Sequence, residues 1–378
     1  MQDVFILSAK RTPIGKFGGA LAKVTAVELA VAAVKAAIAE AGIAPTEVDC
    51  LILGLARQAG NGPNPARQVA VRAGLPLTTP AYTINQACAS GMASIAQAAD
   101  KIRSGECRFV VAAGAENMSR VPYLLDEVRF GQKMGHRKLV DAMYQDGLFC
   151  PLANKIMGET VEALAGELGI SRAEQDEFAL RSQNRAEEAE KAGRFASERI
   201  TLEALDHDEH PRAGTTLASL TKLSPVFAKD GTLTAGNSSG ITDGASALVL
   251  SAEPGPGPLA RFAGAATVAL EPERMGLGPV PAVHRYLERF GGKLEDFDLV
   301  EINEAFAAQV LACQRELKVD PERLNVNGGS IALGHPIGCS GNRVVVTLLH
   351  EMIRRGASSG LATLCVSGGL GMALGLRR

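Results

Sequence analysis

Four stretches of the chain set a reactive side chain among glycines and other small residues, where backbone can come close to a substrate. Cys88 lies in Asn85-Gln86-Ala87-Cys88-Ala89-Ser90-Gly91-Met92, at the start of a helical pattern that reaches Gly105. A cysteine at a helix N-terminus feels the positive end of the helix dipole and unpaired N–H groups, which favour the nucleophilic thiolate; an inert buried cysteine is the bland alternative. His335 lies in Gly328-Gly329-Ser330-Ile331-Ala332-Leu333-Gly334-His335-Pro336-Ile337-Gly338-Cys339-Ser340-Gly341. A histidine flanked by glycines just before a helix suits a general base. The block lacks the Gly-Lys-Ser/Thr ending of a phosphate loop. Cys365 ends an apolar strand and opens the turn Ser367-Gly368-Gly369-Leu370-Gly371, where open parallel sheets expose reactive groups; it reads equally well as a core cysteine. Asn303-Glu304-Ala305-Phe306 also follows an apolar strand, so that Asn303 can hold a water or ligand, or simply cap a helix.

The elements that must carry these residues occur twice. A helical pattern from Glu28 to Ala41 meets Gly42, and Asp49 then opens Cys50-Leu51-Ile52-Leu53. A second, from Val280 to Phe290, meets Gly291, and Asp298 opens Leu299-Val300-Glu301-Ile302. Ser90-Gly91 and Ser340-Gly341 then open helices, followed by the apolar runs Phe109 to Ala113 and Leu361 to Val366. Alternating helix and strand patterns imply βαβ units, hence an α/β fold with parallel sheets whose two similar halves bury their apolar faces against each other. Residues 1–117 with 236–253 make the first half and 259–378 the second. Residues 118–235 read as an inserted loop domain on one face, with a helix from Ser171 to Lys191 begun by the capping box Ser171/Glu174. Pro254-Gly255-Pro256-Gly257-Pro258 reads as the linker.

Composition excludes several function classes. A formal net charge of −2 supplies no field for nucleic acid or an anionic membrane. The absence of tryptophan and an aromatic content of 4% argue against base-stacking platforms. Seven scattered cysteines, none in CxxC spacing, argue against a disulfide framework or a zinc ribbon and for a reducing compartment. The N-terminus shows no secretory pattern and no apolar run is long enough to span a bilayer, so a cytoplasmic protein is expected. Asp206-His207-Asp208-Glu209-His210 reads as a solvated acidic loop rather than a metal site, and no metal is expected.

Taken together, Asn-x-x-Cys-x-Ser-Gly, Asn-Glu-Ala-Phe, the Gly-His-Pro block and the Cys-x-x-Gly-Gly-x-Gly ending resemble, in order, the motifs of the thiolase family. Arg11-Thr12-Pro13-Ile14-Gly15 and Thr234-Ala235-Gly236-Asn237-Ser238-Ser239-Gly240 match it as well. The resemblance covers the whole chain. It implies two α/β halves stacked as five αβαβα layers, a coenzyme A-binding loop domain, and a homo-oligomer, usually a tetramer. It implies that Cys88 is acylated, that His335 activates it, and that Cys365 moves the proton on the α-carbon of a second thioester. Asn303 would hold a water that joins His335 in one oxyanion hole, and the N–H groups of Cys88 and Ser367 would form the other. Coenzyme A contacts are implied at Arg212, Ser219, Phe227, Ala235, Ser239 and, near the acyl group, Met157; no cofactor is bound permanently, coenzyme A being substrate or product. Two different tasks, nucleophile and acid/base, account for two cysteines where a hydrolase needs one.

Three positions depart from the family pattern. Ser367 stands where glycine is usual, Thr242 where asparagine is frequent, and Ile156 where acetoacetyl-type enzymes often carry a histidine facing the acyl group. An apolar pocket there would take longer acyl chains, at about 0.8 kcal/mol per buried CH₂. The competing expectations are a decarboxylating ketoacyl synthase-like enzyme and a non-catalytic coenzyme A-binding relative. Cys365 speaks against the first, and the full set Cys88, Asn303, His335 and Cys365 against the second.

Overall fold

The computed structural model describes residues 2–378. Its first half holds strands β1 (Phe5–Arg11), β2 (Cys50–Gly54), β3 (Ala81–Ile84), β4 (Phe109–Asn117) and β5 (Thr242–Ser251), with helices α1 (Ala26–Ala41), α2 (Pro65–Ala73) and α3 (Ser90–Arg103). The long helices α4 (Met157–Glu167) and α5 (Arg172–Lys191) fall between β4 and β5. The second half holds β6 (Ala260–Ala269), α6 (Pro279–Phe290), β7 (Leu299–Ile302), α7 (Ala307–Leu317), α8 (Ile337–Arg355), β8 (Ser359–Val366) and β9 (Leu370–Arg377). Helix α5 begins with the expected Ser171/Glu174 capping box. Helix α8 opens at Ile337, three residues ahead of the Ser340-Gly341 start read from the sequence.

The strands run in the order β7-β8-β9-β6-β1-β5-β4-β2-β3, with Gly15–Lys16 added beside β5. Only two residue pairs, Phe5 with Arg261 and Ile6 with Ala260, join β1 to β6, so the sheet divides naturally into two halves. Helices α3 and α8 lie between the half-sheets: Met92, Ile95, Val344 and Leu348 share one core with Val110, Ala112 and Leu250 of one half and Leu364 and Leu374 of the other. Helices α1 and α2 cover the outer face of the first half-sheet, and α6 and α7 that of the second. That is the five-layered order. Close approach of the two central helices requires small residues, since a Cβ on Gly91 would lie 2.8 Å from Asn342 and one on Gly341 would lie 2.7 Å from the Met92 backbone.

The expectation of parallel sheets is corrected. Strand β2 is parallel to β3 and β4, and β7 to β8, but the β1–β5, β5–β4, β6–β9 and β8–β9 pairs are antiparallel. Between Val366 and Leu370 the chain has only Ser367-Gly368-Gly369, too few residues for a crossover, and Gly368 and Gly369 turn it back at φ of 85° and 81°.

A buried ionic cluster ties β1 to residues 198–208. Arg11, fully buried, reaches Asp208 through two parallel bonds of 2.7 and 2.9 Å and Glu198 through one of 2.5 Å. Asp208 also accepts from the Ile14 N–H at 2.9 Å and from Arg199 at 3.0 Å. Removing one member leaves an uncompensated buried charge. Asp208→Ala is therefore expected to lower unfolding free energy by about 3–5 kcal/mol, read from urea denaturation; a loss within ordinary surface scatter would contradict the geometry.

Candidate active site

Cys88 precedes α3 on a turn that the chain holds under local strain. Ala87 sits at φ 45°, an unusual conformation for a residue with a side chain. Asn85 Oδ1 accepts from the Ala87 N–H at 2.9 Å, and Ser90 Oγ both accepts from the Gln86 N–H and donates to the Ala87 carbonyl. The fixed turn directs Cys88 into a cavity of about 550 Å³.

The same cavity is lined by His335, from the loop ahead of α8, and by Cys365 and Ser367, from the end of β8 and its turn. Three reactive groups spread over almost the whole chain thus meet at one place, where α3 and α8 begin between the half-sheets. Met157, Arg212, Phe227, Ala235 and Ser239 line it as well. Two expected residues lie elsewhere. Ser219 is exposed on a short helix, where its hydroxyl donates to Thr216. Asn303 is buried behind the cavity wall: Oδ1 accepts from Ser330 at 2.6 Å while Nδ2 has no partner among the described residues. It does not cap a helix, since Phe306 occupies the cap position of α7.

One tautomer of His335 satisfies every hydrogen bond around its Nδ1. Nδ1 lies 2.5 Å from Ser340 Oγ, and Ser340 Oγ donates its one proton to the Pro336 carbonyl at 3.0 Å. Nδ1 therefore carries the proton given to Ser340, and Nε2 is left as the acceptor. Burial, helped by Arg343 and Arg57, pushes His335 down to about 3, so the ring is neutral at physiological pH. Ser340→Ala should release this tautomer and lower kcat about tenfold with little effect on KM, as removal of an orienting partner does elsewhere; steady-state kinetics would show an unchanged kcat if the serine were only filling space.

Burial also raises Cys88 above the ordinary thiol value, against Arg57 and the N–H groups of Ser367 and Cys88 itself, which favour the thiolate. Burial and these thiolate-favouring groups oppose each other at Cys88, and burial is the larger influence. Cys365 is raised further, by burial and then by the neighbouring Cys88 and Cys313. At rest the site holds two thiols and a neutral imidazole.

Ile156, Met157, Leu148, Met118 and Ile337 give the cavity apolar lining. Phe227 meets Phe306 edge-on at 5.8 Å. The stretch 206–210 is not simply a solvated loop, which corrects that reading. Asp206 and His207 are exposed, but Asp208 is buried on Arg11 and His210 lines the cavity, with Nδ1 2.8 Å from the Ala332 carbonyl.

Comparison with known proteins decides the family. The profile of the thiolase N-terminal domain matches residues 4–254 and that of the C-terminal domain matches residues 257–378. The chain belongs to the thiolase family. It is 49% identical to the acetyl-CoA acetyltransferase of Pseudomonas aeruginosa over the full length of both, and 46% identical to that of Escherichia coli, again over the full length of both. Among solved structures it superposes on the acetyl-CoA acetyltransferase of Bacillus anthracis with a TM-score of 0.96 at 46% identity, covering 100% of this chain and 99% of that one. With human mitochondrial 3-ketoacyl-CoA thiolase in complex with CoA the TM-score is 0.97 at 43% identity, covering 100% and 98%.

Several residues of this thiolase site carry no signal in the sequence. Lys16 and Phe17, both exposed, line the cavity, and Tyr144, Gly147 and Arg57 line it as well. Glu116, at the end of β4, accepts from the N–H groups of Ala56 (3.2 Å), Arg57 (3.1 Å) and Gly338 (2.9 Å). It thereby fastens the start of α8, next to His335, to the first half; burial pushes its carboxyl up to about 7. A lone acid at the end of an apolar strand gives no hint of this placement.

Proposed function

We propose that the protein interconverts 3-oxoacyl-CoA plus coenzyme A with acetyl-CoA plus a shortened acyl-CoA, two acetyl-CoA giving acetoacetyl-CoA in the smallest case. In cleavage, Cys88 loses its proton to Nε2 of His335 and attacks the 3-oxo carbon. The C2–C3 bond breaks, and the electron pair left on C2 takes the proton of Cys365, releasing acetyl-CoA. The proton that His335 took from Cys88 then passes to the Cys365 thiolate; coenzyme A gives its own thiol proton to the neutral His335 and attacks the acyl-cysteine, and Cys88 leaves and retakes that proton as the new acyl-CoA departs. Thioester is exchanged for thioester, so the sequence runs in either direction. Cys88 and Ser367 N–H groups meet one developing oxyanion; Asn303, with its unpaired Nδ2, would hold a water that meets the other together with His335.

What carries this reading is the convergence of Cys88, His335 and Cys365 on one cavity. Placing a second thiol beside the nucleophile disfavours decarboxylating chemistry, and an intact triad disfavours a mere binding relative. Arg212 and Lys16, both exposed, suit the phosphates of coenzyme A, and Phe227, Ala235, Ser239 and Met157 its pantetheine and acyl parts; Ser219, turned to solvent outside the cavity lining, would reach only the nucleotide end. Residues 118–235 would act as the loop domain between halves 1–117 with 236–253 and 259–378.

Homo-oligomerisation, most simply as a tetramer, is supported by an apolar stretch turned to solvent. Tyr123, Leu125, Leu139 and, nine-tenths exposed, Phe130 and Met134 all belong to it. No helix among the described residues is long and apolar enough to cross a membrane, and the free cysteines accord with a reducing, cytoplasmic setting. The deciding experiment is mass spectrometry after incubation with acetyl-CoA and acid quench. An acetyl adduct on the Cys88 peptide is expected; an unmodified Cys88 peptide overturns the mechanism.

A further inference from the structure

One charged group inside the cavity has no task in the reaction above. Arg57 is 7% exposed, and no carboxylate pairs with its guanidinium among the described residues. Its Nε has no hydrogen-bond partner either. Yet the residue lines the cavity that holds Cys88 and His335. The nearest acid, Glu116, directs its oxygens at three backbone N–H groups instead. A buried guanidinium cannot shed its proton, and leaving it unpaired is costly, so its environment is incomplete without an anion.

The position of Arg57 says which part of a substrate supplies that anion. The phosphates of coenzyme A belong with exposed Arg212, Lys16 and Phe17. Arg57, by contrast, is buried among the apolar side chains around the nucleophile. It follows Ala56, which shares an apolar cluster with Met118, Met143 and Ile337 against which Cys88 and Leu148 pack. Its guanidinium lies flat on the backbone of Gly147, where a Cβ would fall 2.7 Å from Nε. A larger residue at 147 would displace it. The group is thus fixed in the cavity of the nucleophile, beside an apolar wall formed by Met118, Leu148, Ile156, Met157 and Ile337, which suits an acyl chain.

We propose that Arg57 binds a carboxylate at the far end of the acyl group, so that the favoured substrates are 3-oxoacyl-CoA thioesters carrying a second acid at the terminus of the chain. The assignment rests on the thiolase reading above and names its substrate class. Cleavage then transfers an ω-carboxyacyl group to Cys88 and on to coenzyme A, with the same bonds made and broken as before. The apolar wall accommodates the methylenes between the thioester and the acid, and the planar guanidinium holds the acid through two parallel bonds. The acid does not take part in the reaction; it sets length and register.

The test compares kcat/KM for thiolysis of length-matched substrates of roughly six to eight carbons, one ending in a carboxylate and one in a methyl group. At the best length the carboxylate should win by about 10- to 100-fold, the range expected for a charge-assisted hydrogen-bonded pair. Arg57→Leu should reverse the preference, and Arg57→Lys should keep its direction while weakening it. A wild-type protein that prefers the methyl-ended substrate at every length overturns the proposal, whether or not the variants fold. So does an Arg57→Leu protein in which both members of each pair fall equally. Failure to cleave any 3-oxoacyl-CoA is a different result, and sinks the thiolase reading itself.

Discussion

Replacing Cys365 by alanine is expected to reduce carbon–carbon cleavage by about 10³-fold or more in kcat, while acyl transfer between coenzyme A and Cys88 survives. The two reactions make different demands. Acylation of Cys88 by acetyl-CoA needs a nucleophile, a base and an oxyanion hole, all supplied by Cys88, His335 and the N–H groups of Cys88 and Ser367. Breaking the C2–C3 bond needs in addition a proton donor for C2. Cys365 is held as a thiol by burial and by the nearby Cys88, so a proton is available at neutral pH. Its removal leaves the carbanion to be quenched by solvent inside an apolar cavity. Acid-quenched mass spectrometry should show acetyl-Cys88 in the variant at close to the wild-type yield, beside a cleavage rate near background. Equal loss of both reactions would mean that Cys365 supports the fold of the site and not a proton.

Much of this site was readable before any fold was known, for a physical reason. Cys88, His335 and Cys365 each stand among glycines, where close backbone approach leaves few alternatives in residue type. The five-layered fold was legible because it is written twice, with helix ends and strand starts repeating at fixed distance from Gly42 to Gly291. The strand directions were not. A Gly-rich turn after Cys365 looks like the end of a parallel strand, and only its length of three residues reveals the hairpin to β9. Asp208 and His210 were misread since a run of acids and histidines looks solvated in isolation. Their partners, Arg11 and the Ala332 carbonyl, lie far away in the chain. Arg57 was silent because burial of a lone arginine depends on Gly147, which no local pattern links to it. Local rules locate reactive groups; only packing shows which of their charges lack a partner.

The largest loss is expected for His335→Ala, on the order of 10⁴-fold in kcat for both half-reactions. Nε2 takes the proton of Cys88, and Cys88 cannot supply a thiolate unaided, because burial holds its thiol above the ordinary range. The same ring would polarise the water at Asn303, so one truncation removes a base and an oxyanion donor together. Alkylation of Cys88 by iodoacetamide separates this from misfolding: in the variant the rate at pH 7 should fall sharply and recover only as pH rises through the raised thiol value. A folded variant alkylated at the wild-type rate would remove His335 from the mechanism. Its depressed basicity adds a second signature. The folded state keeps the imidazole neutral down to about 3, while the unfolded chain protonates it below about 6.5. Between those values the unfolded state binds the extra proton, so stability falls as pH falls. His335→Ala lacks this contribution. Relative to wild type, its urea midpoint should therefore rise when pH is lowered from 7 to 5, and a midpoint difference independent of pH would show that the ring is not buried as a neutral base.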